Sequence, residues 1–288
     1  MCGIAGIVNL RGNPVEPAEI SRLTSLIAHR GPFGEGTWFN AKRNVAFGHR
    51  RLAIIDPGEG GYQPMVSGDG RHVIVYNGEI YNFLELRREL EAKGAVFRSQ
   101  SDTEVILAAW QAWGEDMLLR FNGMWALAIY DTATDELFLA RDRFGIKPML
   151  YALSSERFVF ASEQRALARS GLLETSLDID VARRLLLDPF GIEGSERTLY
   201  SQVRRLQGGH CMWLRQGRVQ VRRWWRTVDH LPAIPQTETE RVARFRDLFQ
   251  DSVALRMRSD VPISSPMVCQ PKKAATAIRP SPAIRSVS

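Results

Sequence analysis

Apolar positions fall into short runs near the start of the chain. Gly3-Ile4-Ala5-Gly6-Ile7-Val8 reads as a buried strand that begins almost at the terminus. Ile20, Leu23, Leu26 and Ile27 recur at helical spacing and predict a helix over Pro17–Ala28. His29-Arg30-Gly31-Pro32 then turns the chain into a loop. Ala46–Gly48 and Leu52–Ile55 read as strands, with a Gly- and Pro-rich loop from Asp56 to Tyr62. His72–Tyr76 is a further strand, closed by the turn pair Asn77-Gly78. Helices are expected over Phe83–Lys93, ending at Gly94, and over Thr103–Trp113, ending at Gly114. Met124–Tyr130, Glu136–Arg141 and Phe158–Ala161 follow as strands of a meander. Strands flanking a central pair of helices indicate an α+β fold rather than βαβ alternation.

A second region starts near Asp178. It holds a short helix over Ile179–Leu187 and a hairpin over Gly209–Trp225 around Gln216-Gly217. An amphipathic helix follows over Thr239–Met257, with Val242, Phe245, Leu248, Phe249 and Val253 on one face. From Ser264 the periodicity is lost and Pro, Ser, Lys, Arg and Ala dominate, so a tail without order is expected.

Charge changes this picture little. The net charge of the 288 residues is +6, and the segment Ser264–Ser288 holds four Lys or Arg and no acid. Without them the body carries +2, which gives no support to nucleic-acid binding. The three cysteines, Cys2, Cys211 and Cys269, form no CxxC pair and have no His at zinc-ligand spacing. No metal site and no disulfide framework is expected, which fits a reducing cytoplasm. No apolar run approaches the ~20 residues of a membrane span, and no signal peptide is evident.

Cys2 is the first candidate for chemistry. A side chain as small as cysteine allows loss of the initiator methionine, and the new terminus would carry a thiol and an α-amine. With pKa values of about 8 and about 8.5, the amine can accept the thiol proton. One residue would then be nucleophile and base together. A buried structural cysteine is the plain alternative.

Motifs further along add to this. Met1-Cys2-Gly3-Ile4-Ala5-Gly6, His29-Arg30-Gly31-Pro32, Arg51-Leu52-Ala53-Ile54-Ile55-Asp56, Asn77-Gly78-Glu79-Ile80-Tyr81-Asn82, Ser101-Asp102-Thr103-Glu104, Arg141–Pro148 and Phe160-Ala161-Ser162-Glu163 stand in one order along Met1 to about Pro262. With them the chain resembles the class II glutamine amidotransferases, and most closely the glutamine-hydrolysing asparagine synthetases. Phe33 departs from the resemblance, which has Asp after Arg-Gly-Pro.

The resemblance implies a four-layer αββα N-terminal-nucleophile hydrolase sandwich and hydrolysis of L-glutamine to glutamate and ammonia. It makes Cys2 the nucleophile and Asn77 and Gly78 the oxyanion donors. Taken alone, Asn-Gly reads as a hairpin turn. Arg51 would take the substrate carboxylate and Glu79 and Asp102 its ammonium, with Leu52, Ile54 and Ile55 lining the pocket. The plain alternatives are a surface arginine and, for Asp102, an N-cap of the helix from Thr103. Arg30 is expected to brace the terminus, and Arg50, His29 and His49 to be structural.

The glutaminase domain is expected to end between residues 175 and 215. Residues 216–262 would be a connecting hairpin and the first helix of a truncated α/β ATP-pyrophosphatase-type domain, and 263–288 a basic tail. No cofactor is implied for glutaminase chemistry. ATP and magnesium belong to full-length relatives, and their phosphate loop is replaced here by Ser264-Ser265-Pro266-Met267-Val268-Cys269. The exposed start of that domain would favour self-association or a homodimer. Two other readings stand beside this one: the glutaminase of another class II amidotransferase, and a non-catalytic remnant or regulatory module.

Overall fold

The computed structural model of the chain describes residues 1–262. Two antiparallel sheets of six strands each face one another. The first has the order β10 (Arg204–Arg205), β8 (Leu150–Leu153), β9 (Arg157–Ala161), β1 (Gly3–Asn9), β3 (Val45–Arg51), β2 (Gly34–Phe39). The second has the order β12 (Arg218–Arg223), β11 (His210–Arg215), β7 (Glu136–Arg141), β6 (Gly123–Asp131), β5 (His72–Ile80), β4 (Met65–Val66).

Strand periodicity explains the layers. On β5, Val73 and Val75 point into the space between the sheets, where they meet Phe47, Phe158 and Phe160 of the first sheet. Ile74 and Tyr76 point the other way, onto Leu86, Leu90, Val105 and Ile106 of α2 (Phe83–Ala92) and α3 (Asp102–Trp113). On β1, Ile4 and Val8 face the second sheet, while Ala5 and Ile7 pack on α1 (Pro17–Ser25) and α5 (Gln164–Arg169). Both faces of each sheet are buried, so the central strands read as unbroken apolar runs. The result is the αββα sandwich expected of N-terminal-nucleophile hydrolases. Short α4 (Met117–Arg120) packs Met117 and Leu118 into the same core as α2 and α3, and α6 (Ile179–Leu187) buries Val181.

Several local expectations are corrected. Asn77 and Gly78 form no turn: β5 continues through them to Ile80, paired with Gly123–Asp131 of β6. Gly78 is needed there because a Cβ would lie 2.2 Å from the Met124 carbonyl oxygen and 2.8 Å from Trp125 Cα. Leu52–Ile55 is no strand but an irregular loop that leaves the end of β3. Ser101, not Asp102, is the N-cap of α3: its side chain accepts from the Thr103 N–H, and Asp102 is the first helical residue. The hairpin around Gln216-Gly217 is the edge of the second sheet, inside the sandwich rather than after it.

Beyond the sandwich, α7 (Glu238–Arg256) stands with Val242, Phe245, Leu248, Phe249 and Val253 all exposed. The expected disordered tail and altered phosphate loop lie outside the described residues.

One buried carboxylate organises the turn between β7 and β8. Asp142, fully buried, accepts from the N–H groups of Trp125 (3.2 Å), Phe144 (3.1 Å), Ile146 (3.0 Å) and Lys147 (3.0 Å). It therefore fixes the backbone from which Lys147 enters the site. Each donor left unmatched in the interior costs about 1–3 kcal/mol. Asp142→Ala is expected to lower unfolding stability in urea by about 3 kcal/mol or more; a loss below about 1 kcal/mol would contradict this account of the turn.

Candidate active site

The register of β1 and β3 sets the first part of the site. Gly3 lies opposite Arg50, so Cys2 lies beside the chain as it leaves β3. The Leu52 N–H donates to Cys2 Sγ at 3.3 Å, and the thiol is 3.5 Å from the Leu52 carbonyl oxygen. Arg30 Nε donates to the Cys2 carbonyl oxygen at 2.9 Å, and its Nη1 pairs with Glu163 at 3.1 Å. Arg30 thus braces the terminus. Burial pushes the Cys2 thiol above its ordinary pKa, while the Leu52 N–H works against that rise.

β5 supplies the second part. Past Ile74 its outer edge is no longer covered by β4. The Tyr76 N–H on that edge donates to Gln63 Oε1 at 2.6 Å, and the Ile80 N–H to Asp102 Oδ2 at 3.0 Å. By the two-residue period of a strand, the Gly78 N–H lies on the same edge between them. Beside it, Asn77 is 1% exposed and its Nδ2 is buried with no hydrogen-bond partner among the described residues. A buried amide donor left without an acceptor is uncommon in a native interior.

These groups line one cleft with about 520 Å³ of empty space, part of it open to solvent. Cys2, Arg51, Leu52, Ile54, Ile55, Asn77, Gly78, Glu79 and Asp102 all take part in its wall. Every site residue expected from the sequence is therefore brought together.

Arg51 differs from the simple picture of a fork waiting for a ligand. It is buried; its Nη1 donates to the Gly58 carbonyl oxygen at 2.7 Å and its Nη2 to that of Asp56. Its guanidinium lies 4.9 Å from the Tyr62 ring centroid. Arg51 therefore holds the loop as well as lining the cleft. Gly61 makes room for it, since a Cβ there would sit 2.0 Å from Nη2.

The charged groups carry the mark of burial. Asp102 is raised to about 6, chiefly by burial, although it accepts from Tyr76 Oη at 2.9 Å and from Ile80 N–H. Glu79 is raised by burial and Lys147 is lowered by it, each partly offset by the other. Sequence reasoning did not assign Lys147, Gln63 or Tyr76 to the site. Lys147 stood inside the quoted Arg141–Pro148 motif, which was a usable signal; Gln63 and Tyr76 had none. His49 is buried and lowered to about 3, so it is neutral and structural.

The Asp102 shift has a stability consequence. Its carboxyl binds a proton more tightly folded than unfolded, so between about pH 4 and pH 6 the native state holds more protons. Stability then falls as pH rises through that window, by about 3 kcal/mol in all. Asn keeps the acceptor oxygen and removes the charge. Asp102→Asn is expected to raise the melting temperature at pH 8, with the gain shrinking toward pH 4. A gain equal at both pH values, or a loss at both, would contradict the burial argument.

Comparison with known proteins agrees with this geometry. Residues 1–225 match the family model described as a glutamine amidotransferase domain. Asparagine synthetase [glutamine-hydrolyzing] 3 of Bacillus subtilis is 36% identical over 91% of this chain and 42% of its own length. A putative asparagine synthetase [glutamine-hydrolyzing] of Mycobacterium bovis is 37% identical over 92% of this chain and 43% of its own. The chain thus spans less than half the length of these relatives. Among solved structures, the glutamine phosphoribosylpyrophosphate amidotransferase from B. subtilis shares the fold, with a TM-score of 0.59 at 21% identity, over 78% of this chain and 49% of that one. With a family match that takes in the whole sandwich and every wall of the cleft, the chain belongs to the glutamine amidotransferase domain family.

Proposed function

We propose that this chain hydrolyses glutamine to glutamate and ammonia at the cleft around Cys2. The observation that carries the reading is the buried Nδ2 of Asn77, without a partner among the described residues, in the same wall as a thiol. An anionic oxygen formed at the carbon attacked by Cys2 would supply the missing acceptor.

Removal of Met1, which is 53% exposed, would turn the Cys2 nitrogen into an α-amine. Burial already holds the Met1 amine below its ordinary value, and Arg30 and Lys147 act in the same direction. The Cys2 amine would meet the same lowering forces one residue deeper, which favour its basic, unprotonated form. It takes the thiol proton. The thiolate attacks the side-chain amide carbon: the C–S bond forms and the carbonyl π electrons move to oxygen. Asn77 Nδ2 and the Gly78 N–H hold that oxyanion. As it collapses, the C–N bond breaks and the nitrogen leaves as ammonia with the proton held by the amine. Water then attacks the thioester, the C–S bond breaks through a second oxyanion, and glutamate and the thiol are released.

In this proposal Asp102 and Glu79 receive the substrate ammonium, and the backbone of Leu52, Ile54 and Ile55 lines its path. Arg51 receives the carboxylate, which must share a guanidinium already fastened to the Asp56 and Gly58 carbonyls. Lys147 adds positive charge beside the thiolate. No cofactor is assigned to this chemistry, and among the described residues no group of three or more His, Cys, Asp or Glu is placed to hold a metal. ATP and magnesium serve only the asparagine-forming step that the resemblance implies for longer relatives. A cytoplasmic location, no nucleic-acid partner and self-association through the exposed face of α7 complete the reading. No described helix is long and apolar enough to cross a membrane.

The test is glutamine turnover by purified protein whose intact mass shows loss of Met1. Asn77→Ala is expected to lower kcat by about 10²–10³ with little change in KM, because its donor acts on the transition state. KM should rise as pH falls through about 6, since protonated Asp102 no longer pairs with an ammonium. Unchanged kcat in Asn77→Ala, or a KM that improves in acid, would overturn the assignment of roles.

A further inference from the structure

The loop from Leu52 to Gly61 contributes Leu52, Ile54, Ile55 and Gly61 to the cleft, yet no strand pairs with it beyond Arg51. Its geometry rests on individual fastenings at Asp56, which holds a left-handed φ of +48°. The Asp56 carbonyl accepts from Arg51, and its Oδ2 accepts from the Gln100 N–H at 2.9 Å. The remaining fastening comes from more than 200 residues away. Asp260 Oδ2 accepts from the Asp56 N–H at 2.8 Å, and the Asp260 N–H donates to the Ile54 carbonyl oxygen at 3.1 Å. One residue thus grips the loop from both its side chain and its backbone.

The segment carrying Asp260 is itself anchored beside the cleft. Arg258 Nη1 donates to the Tyr81 carbonyl oxygen at 2.7 Å, and its guanidinium pairs with Glu85 at 2.6 Å. Arg256 lies 4.8 Å from the Tyr81 ring centroid. Tyr81 and Glu85 follow β5 directly, so the segment bridges the β5–α2 junction and the loop. Arg256 is the last residue of α7 and residues 257–260 come immediately after it; all lie beyond the matched family region, which ends at residue 225.

We propose that Asp260 is a positioning residue for the glutamine cleft. It holds Ile54–Asp56 in the conformation that binds substrate, and it ties the shape of the cleft to the placement of the chain after α7. The inference rests on the reading of the cleft as a glutamine site and deepens it. Asp260 does not line the cleft, and so it acts through the loop. Leu52, next to the strand end, is held instead at its N–H by the Cys2 thiol. The clasp should therefore govern binding more than the chemical step.

The experiment uses the full chain and two variants, Asp260→Ala and Asp260→Asn. Asn keeps an oxygen acceptor for the Asp56 N–H; Ala does not. Two readouts are followed: amide hydrogen exchange of the loop and steady-state glutamine hydrolysis. In Asp260→Ala, loop exchange is expected to speed up by about fivefold or more, with KM for glutamine up about tenfold and kcat within about twofold. Asp260→Asn should stay within about twofold of the parent on every readout. Unchanged exchange and KM in Asp260→Ala would overturn the proposal, as would an Asn variant that behaves like Ala. If the parent hydrolyses no glutamine, the functional reading fails, and the exchange data still decide whether Asp260 holds the loop.

Discussion

A buried backbone donor must find an acceptor, and the site is built around one stretch of strand where that rule is left open. β4 covers the outer edge of β5 only at Val73 and Ile74. Beyond it, the Tyr76 and Ile80 donors are matched by side chains, Gln63 and Asp102, brought from elsewhere in the chain. Between those two lies Gly78, and next to it the Asn77 Nδ2, which has no partner among the described residues. If β4 ran further, its carbonyls would satisfy this edge and take up the Gly78 donor assigned above to the proposed oxyanion. Stopping it early lets side chains close the flanks and leaves Gly78, between them, uncovered by β4. Gly78 is fixed by the same constraint from the other side, since β6 approaches too closely for any Cβ.

The charges of the cleft follow from its depth. Asp102 is buried to serve as the acceptor that closes the β5 edge, and burial is also what raises its pKa. A carboxylate held in this way destabilises the folded chain until a cation pairs with it. Glu79 and Lys147 relieve each other in part across the same cavity. Part of the stability of the fold is thus given up to keep these charges in the cleft.

The sequence made the sandwich legible where both faces of a strand are buried. β1, β5, β6, β7 and β9 appear as apolar runs because the space between the sheets and the helical layers are both dry. β2 was missed because Gly34 and Gly36 break its pattern; there a Cβ at Gly36 would meet the Gln63 carbonyl oxygen at 2.1 Å. Leu52–Ile55 looked like a strand because its apolar residues face a cleft, which periodicity cannot tell from a core. Asn77-Gly78 has the local chemistry of a turn, and pairing with β6 overrides it. The site residues were legible only through the resemblance, since residues as distant as Cys2 and Asp102 meet by tertiary register alone. Gln63 meets the backbone through its amide oxygen, and Asp260 meets it through its carboxylate and its own N–H; no composition or spacing announces such contacts.

The central claim is that the donors of Asn77 and Gly78 serve an acyl transfer at Cys2. The most direct measurement is to mix the mature protein with glutamine, quench in acid within the first turnover, and map the acylated peptide by mass spectrometry. The account predicts a γ-glutamyl thioester on Cys2 alone, absent in Cys2→Ala and formed far more slowly in Asn77→Ala. Ammonia released at the parental rate with no adduct on Cys2, or an adduct on Cys211 or Cys269, would contradict it.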